Sequence, residues 1–261
     1  MYSIVFDTET TDLSKCFCYD LGYLIFDTET GEIVVKKHFV IEQIWHNLEL
    51  FQTAYYAEKR PLYINLMRAK RAIMEKWGYV MQEMIRDIKK FEVTEAYAYN
   101  AAFDDSVFTF NCDWFKTQNP LDNLTIHDIW GYASEAITQT DDYKIFCENN
   151  GRFTDTGNYS GKAETVYQFI TNNPKFEEAH MGLPDSMIEF EILKHCVSNL
   201  GLNYAEDYKV VKILNRLAPH PYKIIVNGNV IHEGDYVKKS VYGGNYRFTE
   251  LTPPTEELTE A

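Results

Sequence analysis

The chain opens on YSIVF, a short β-branched and aromatic run that gives way to Asp, Thr and Glu, the pattern of a buried strand entering a loop. Two further apolar runs, residues 21–26 and 32–41, flank a stretch of Asp, Thr, Glu and Gly. They predict a hairpin whose turn uses the positive φ open to Gly31. From about residue 44 to 92 the apolar period becomes three or four. Trp77, Val80, Met81, Met84, Ile85, Ile88 and Phe91 form one stripe opposite Glu83, Arg86, Asp87 and Lys90. VTEAYAY then reads as a strand, followed by Asn100 and a helix with Phe103, Val107, Phe110 and Trp114 on one face. LTIHDIW reads as another strand, and GKAETVYQFI and PDSMIEFEILKHCVSNL as two more helices. Strands paired first in a hairpin and then alternating with helices predict an α/β fold, a mixed sheet flanked by helices. Beyond Gly201, YKIIVNGNVIHEGDY sets Asn227 and Gly228 between two β-rich runs, a small C-terminal hairpin, before the frayed acidic TPPTEELTEA. The expected organisation is a main domain over residues 1–201, with a helical insertion at about 44–92, and an extension over 202–261 that holds the hairpin and a disordered tail.

Composition narrows this. A chain of 261 residues with 45% hydrophobic and 15% aromatic content can bury one large core but not two full domains. No apolar run approaches the length of a membrane span, and the first residues enter a strand at once without a basic-then-apolar export segment, so a cytoplasmic protein with no membrane partner is expected. The five cysteines, Cys16, Cys18, Cys112, Cys147 and Cys196, include no C-x-x-C pair and are expected to be reduced, mainly buried thiols. The net charge of −14 argues against a broad basic face for a polyanion and leaves phosphate binding to local patches. Lys59, Arg60, Arg68, Lys70, Arg71 and Lys76 form one such patch, which reads equally as a solvated helix face. The nearby Tyr55, Tyr56, Tyr63 and Trp77 could stack unpaired bases, although core positions are the commoner use of such residues.

FDTET occurs twice, at residues 6–10 and 26–30. In the first copy Asp7 and Glu9, two apart on a strand, project to the same side and present two carboxylates at a strand end. In the second copy Asp27 and Glu29 fall in the hairpin turn with Gly31 and read as turn chemistry. Asp104 is expected in the first turn of the helix after Asn100, where the helix dipole tolerates an anion. Pro184 suits the opening of the last helix, which brings Asp185 into its first turn and leaves His180 on the loop leading in.

Taken together these residues resemble the DEDDh branch of the DEDD 3′–5′ exonucleases, the group that includes the proofreading epsilon subunit of bacterial replicative polymerase. The family's D-x-E is similar to Asp7-Thr8-Glu9, its N-x-x-x-D to Asn100 through Asp104, and its H-x-x-x-x-D to His180 through Asp185. The sister branch carries tyrosine four residues before the last Asp, where this chain has Met181. The resemblance covers roughly residues 1–199. Asp12 and Tyr99 stand where the family commonly has glycine and histidine, and these departures bear on substrate positioning.

The resemblance implies a ribonuclease H-like fold. It also implies two Mg²⁺ ions, replaceable by Mn²⁺, held by Asp7, Glu9, Asp104 and Asp185, with His180 as general base. Hydrolysis of the terminal phosphodiester of a nucleic acid with a free 3′ end would release 5′-mononucleotides, and Thr8, Thr10, Asn100 and Phe103 would contact the substrate. Single-stranded DNA is the expected substrate. The alternatives are an exoribonuclease, a catalytically silent nucleic-acid-binding module, or a metal-dependent hydrolase of small phosphate esters. For the C-terminal hairpin, with Lys238, Lys239 and Arg247 nearby, pairing with a second copy as a homodimer or cover for a sheet edge is preferred over contact with nucleic acid.

Overall fold

The computed structural model describes residues 1–12 and 16–215 in full, and the backbone of residues 219–226 and 229–237. Strands β1 (Tyr2–Thr10), β2 (Cys18–Asp27) and β3 (Ile33–Ile41) form an antiparallel meander, with Phe6 opposite Tyr23 and Glu9 opposite Asp20. Short helices α1 (Glu42–Trp45) and α2 (Leu48–Phe51) and helix α3 (Arg60–Arg68) lead to β4 (Ile73–Glu75), then α4 (Trp77–Phe91), β5 (Glu95–Ala98) and α5 (Ala101–Phe115). After β6 (Thr125–Asp128) come α6 (Ile129–Ala133), α7 (Asp141–Asn150), α8 (Ala163–Ile170) and α9 (Gly182–Ser198). The sheet order is β4-β3-β2-β1-β5-β6, with β5 parallel to β1, β6 parallel to β5 and β4 parallel to β3. The α/β class and the mixed sheet follow the expectation.

Alternation along β1 divides the interior into two cores. Ile4 and Phe6 pack with Trp77, Val80 and Met84 of α4 and Val107 and Phe108 of α5. Val5 packs on the opposite side with Ile188, Ile192 and Leu193 of α9. The central strands are covered on both faces, and their residues are buried almost throughout.

Four local readings need correction. Asp87, read on the polar side of α4, is buried and its carboxylate accepts from the Tyr23 hydroxyl at 2.8 Å. Residues 73–75, within the stretch read as helical, form β4 against Phe39–Ile41 of β3, and a three-residue edge strand is too short to show a period of two. The buried face of α5 centres on Val107, Phe108, Asn111 and Cys112, and Trp114 at the end of the expected stripe is 62% exposed. The strand read in LTIHDIW stops at Asp128, whose carboxylate accepts the Trp130 N–H at 2.9 Å and caps α6. Helix α7 carries no expectation from the sequence pattern.

The second FDTET is a turn, as expected. Asp27 Oδ1 accepts the Glu29 N–H at 2.9 Å, the Gly31 N–H reaches the Asp27 carbonyl at 2.7 Å, and Gly31 has φ of +69°. Residues 202–215 pack along β5, β6 and the helical stretch that begins with α6. Ala205 donates to the Tyr97 hydroxyl, Asp207 meets His127, and Ile213 is buried. Strands β7 (Pro219–Val226) and β8 (Asn229–Val237) form the C-terminal hairpin. Its expected turn at Asn227-Gly228, the cations Lys238, Lys239 and Arg247, and the acidic tail lie outside the described residues. The five cysteines are free, four of them buried, and among the described residues no helix is long and apolar enough to cross a membrane.

Candidate active site

The site forms where the end of β1, the start of α5 and the start of α9 meet. Thr8 faces α5: its N–H and hydroxyl both donate to Asp104 Oδ1, at 3.0 and 2.6 Å. Asp7 and Glu9 alternate with it, on the side of the sheet that α9 covers. Glu9, His180 and Asp185 bring one donor atom each to within 4.8 Å of one another. Three of the residues named from sequence spacing, Glu9, His180 and Asp185, thus lie together, and Asp7 is near enough to Asp104, Asp185 and Glu9 to feel their charges.

Asn100 takes the left-handed conformation, φ of +61°, that turns the chain from β5 into α5, and its N–H donates to Asp128 at 2.9 Å. Phe103 is partly buried against the core beneath α5, and Thr10 is half-buried at an irregularity in the β1–β2 register.

Helix α9 is held against the sheet by a close approach of two backbones. A Cβ on Gly22 would lie 1.9 Å from the Leu183 nitrogen, and one on Gly182 would lie 2.3 Å from the Gly22 nitrogen. Beside this contact the fully buried Asp20 binds three partners: the Gly182 N–H at 2.8 Å, the Tyr63 hydroxyl at 2.6 Å and His38 Nε2 at 2.7 Å. Burial opposes protonation of His38, but the Asp20 charge and hydrogen bond prevail and raise its pKa. Sequence reasoning missed Asp20, since one Asp in an apolar strand carries no local signal of three distant partners.

His180 sits in the left-handed region, φ of +50°, with its ring stacked on Tyr56 at 4.1 Å between centroids and 10° between planes. Lys59 Nζ lies 4.3 Å from the Tyr56 ring centroid and donates to the Ala179 carbonyl at 2.7 Å. Burial, then the Lys59 charge, lowers the His180 pKa and favours a neutral imidazole. Of the four aromatics near the basic patch, Tyr63 and Trp77 are core residues, Tyr56 holds His180, and Tyr55 is 84% exposed. Arg60 of that patch lies over the Trp45 and Phe51 rings. Beyond His180 opens a cavity of about 710 Å³ lined by Lys59, Arg152, Glu164, Lys175 and Glu178.

Crowding of acids governs the electrostatics. Burial raises Asp7 well above the usual carboxylate range, with the charges of Glu189, Asp104, Asp185 and Glu9 adding to it. Burial and neighbouring acids push Glu9 up to about 9 and Asp185 up to about 8. Burial pushes Asp104 up to about 7 against the opposing Thr8 hydrogen bonds. A fifth carboxylate, Glu189, is buried one helical turn beyond Asp185 and is likewise raised, first by burial and then by Asp104. The spacing of four from Asp185 on a helix was its only signal in the sequence.

The donor set fits a hard divalent cation. Among the described residues, Asp7 Oδ2 and Asp185 Oδ1 are buried without any hydrogen-bond partner. Carboxylate oxygens buried without partners, beside other carboxylates, are costly unless a cation joins them. Oxygen donors with few nitrogen donors suit Mg²⁺ or Mn²⁺.

No protein-family model matches the sequence, and no curated protein matches it. Solved structures do share its fold. The nuclease domain of 3′hExo, a DEDDh family member bound to rAMP, superposes with a TM-score of 0.53 at 12% identity, covering 78% of this chain and 96% of that one. A 3′-exonuclease described in 3′-end recognition of the histone mRNA stem-loop superposes with a TM-score of 0.51 at 13% identity, covering 97% of this chain and 74% of that one. The chain shares the fold of these two 3′-exonuclease structures.

Proposed function

We propose that this protein is a metal-dependent 3′–5′ exonuclease acting on nucleic acid with a free 3′ end. One observation carries the reading: Glu9, His180 and Asp185 bring donor atoms to within 4.8 Å of one another, and beside them Asp7 Oδ2 and Asp185 Oδ1 are buried without partners. Those four residues would hold a pair of divalent ions, Mg²⁺ in the first instance. When bound, such ions supply positive charge to the attacking and leaving oxygens of an in-line displacement.

The chain's own groups do the rest. His180, kept neutral by burial and by Lys59, accepts a proton from the attacking water. The water oxygen bonds to the terminal phosphorus, the bond to the penultimate O3′ breaks and that oxygen takes up a proton from solvent, while His180 gives its proton back to solvent; a 5′-mononucleotide and a new 3′ hydroxyl are released. Tyr56 and the left-handed turn at His180 keep the imidazole beside Glu9 and Asp185. Lys59, Arg152 and Lys175, which line the cavity beyond His180, would meet phosphates of the strand. Thr10, Asn100 and Phe103, at the ends of β1 and α5, would bound the terminal nucleotide.

Single-stranded DNA is the first reading of the substrate. RNA is the second, favoured by the rAMP and the mRNA stem-loop of the two superposed structures. The test offers Mg²⁺ and matched single- and double-stranded DNA and RNA oligomers, each with a free or a blocked 3′ end. Release of mononucleotides from the free 3′ end, abolished in Asp7→Ala and Asp185→Ala, is expected. Equal activity in wild type and either variant would refute the assignment, and hydrolysis of small phosphate esters alone would move the protein to another class of enzyme.

A further inference from the structure

We infer that Tyr55 stacks on an unpaired base of the substrate strand and so selects single-stranded nucleic acid, a conclusion that rests on the exonuclease reading above. Residues 53–59 reach from the segment after β1 to the loop before α9, the two walls of the site. At one end the Thr53 hydroxyl donates to the Leu50 carbonyl at 2.7 Å and lies 3.4 Å from Asp12 Oδ2, two residues past the end of β1. At the other end Lys59 Nζ donates to the Ala179 carbonyl at 2.7 Å, next to His180. Between these ends the Tyr56 ring stacks on the His180 ring.

The local fold leaves the Tyr55 ring outside. The Ala57 N–H reaches the Ala54 carbonyl at 3.2 Å, which makes a turn with Tyr55 and Tyr56 at its two central positions. Ala54 is buried in the core, Ala57 packs against the same core and Tyr56 is turned onto His180. Tyr55 is 84% exposed, the most exposed of the large apolar and aromatic side chains among the described residues. Its ring meets Tyr56 edge to face, 4.8 Å between centroids and 86° between planes, so an unbroken series of rings runs from His180 outward to solvent. A nucleobase offers a flat face to such a ring, and stacking removes both faces from water. Within a duplex those faces are taken by neighbouring bases, whereas an unpaired strand presents them. The phosphates beside a stacked base would meet Lys59, Arg152 and Lys175, the cations that line the adjoining cavity.

The test compares the full chain as wild type, Tyr55→Ala and Tyr55→Phe. Mononucleotide release with Mg²⁺ gives kcat and KM on single-stranded oligomers and on blunt duplexes, of DNA and of RNA. Fluorescence anisotropy gives the dissociation constant of the same single strands in EDTA, where no strand is cut. From the usual worth of base–aromatic stacking, Tyr55→Ala is expected to raise KM and the dissociation constant for single strands about fivefold to a hundredfold, with kcat and the KM for duplexes changed far less. Tyr55→Phe keeps the ring and is expected to stay within about twofold of wild type. Wild-type KM and affinity in Tyr55→Ala, or a Tyr55→Phe as impaired as Tyr55→Ala, would overturn the inference. An equal loss on single strands and duplexes overturns it too, since the ring would then only support the segment that holds His180. If wild type binds single strands but releases no mononucleotides, the exonuclease reading fails while the anisotropy still decides the stacking. If wild type neither binds nor cuts them, both fall.

Discussion

Thr8 donates twice to one oxygen of Asp104, through its N–H at 3.0 Å and its hydroxyl at 2.6 Å, so the residue between the two acids of the first segment fixes the acid of the second. Both bonds lower the pKa of a carboxyl that burial drives upward. Thr8→Val keeps the shape and the N–H but removes the hydroxyl. The variant is expected to lose about 1.5–3 kcal/mol of stability, the worth of a hydrogen bond to a charged group. The metal concentration that half-saturates activity should rise several-fold. Thermal melts and a Mg²⁺ titration of nuclease activity measure the two effects, and an unchanged Mg²⁺ requirement would separate Thr8 from the site.

Removal of the imidazole should act on rate. General-base catalysis contributes about a hundredfold to ten-thousandfold, so His180→Ala is expected to lower kcat by at least about a hundredfold, with KM altered little. Steady-state kinetics on an oligonucleotide substrate separate the two constants. A change confined to KM would count against the role of His180 as base.

Metal-free stability should fall as pH rises. Asp104, Asp185 and Glu9 have folded pKa values of about 7, 8 and 9, above those of the unfolded chain. Between the unfolded values near 4 and these folded values the native state binds more protons, so the unfolding free energy decreases with pH through that window. In EDTA the melting temperature should be lower at pH 8.5 than at pH 5.5, and millimolar Mg²⁺ should recover most of the difference at pH 8.5. Identical EDTA melts at the two pH values would contradict the crowding of these acids.

The approach of β2 to α9 tolerates no side chain at Gly22. A methyl group there would meet the Leu183 nitrogen at 1.9 Å and the Gly182 carbonyl carbon at 2.0 Å, both backbone atoms. Gly22→Ala must push the first turn of α9 outward, and Asp185 with it. A loss of about 1–3 kcal/mol from overpacking is expected, together with a smaller thermal stabilisation by Mn²⁺ than in wild type. Full metal stabilisation in this variant would mean that Asp185 keeps its place without the contact.

Local periodicity made several features readable from the chain alone. The alternation in YSIVFDTE placed Asp7 and Glu9 on the same side of a strand end, and the Asp-Thr-Glu-Thr-Gly turn told the second FDTET from the first. The apolar stripe of Trp77, Val80, Met81 and Met84 marked α4 correctly. Each of these depends on neighbours a few residues apart, whose side-chain directions follow from strand or helix geometry.

The rest depended on pairs far apart in sequence. Strand β4 exists because Ile73–Glu75 finds the edge of β3, Asp20 is a hub because Tyr63, His38 and Gly182 converge on it, and Tyr56 meets His180 across more than a hundred residues. Glu189 carried no signal in the sequence beyond its place on a helix; the packing of α9 on the sheet buries it and gives it the Tyr99 N–H. Sequence pattern decides which way a side chain points within its own element, whereas burial and charge neighbours are set only when separate elements pack. The identity of the acids was therefore legible from the chain, and their shared desolvation was a property of the tertiary structure.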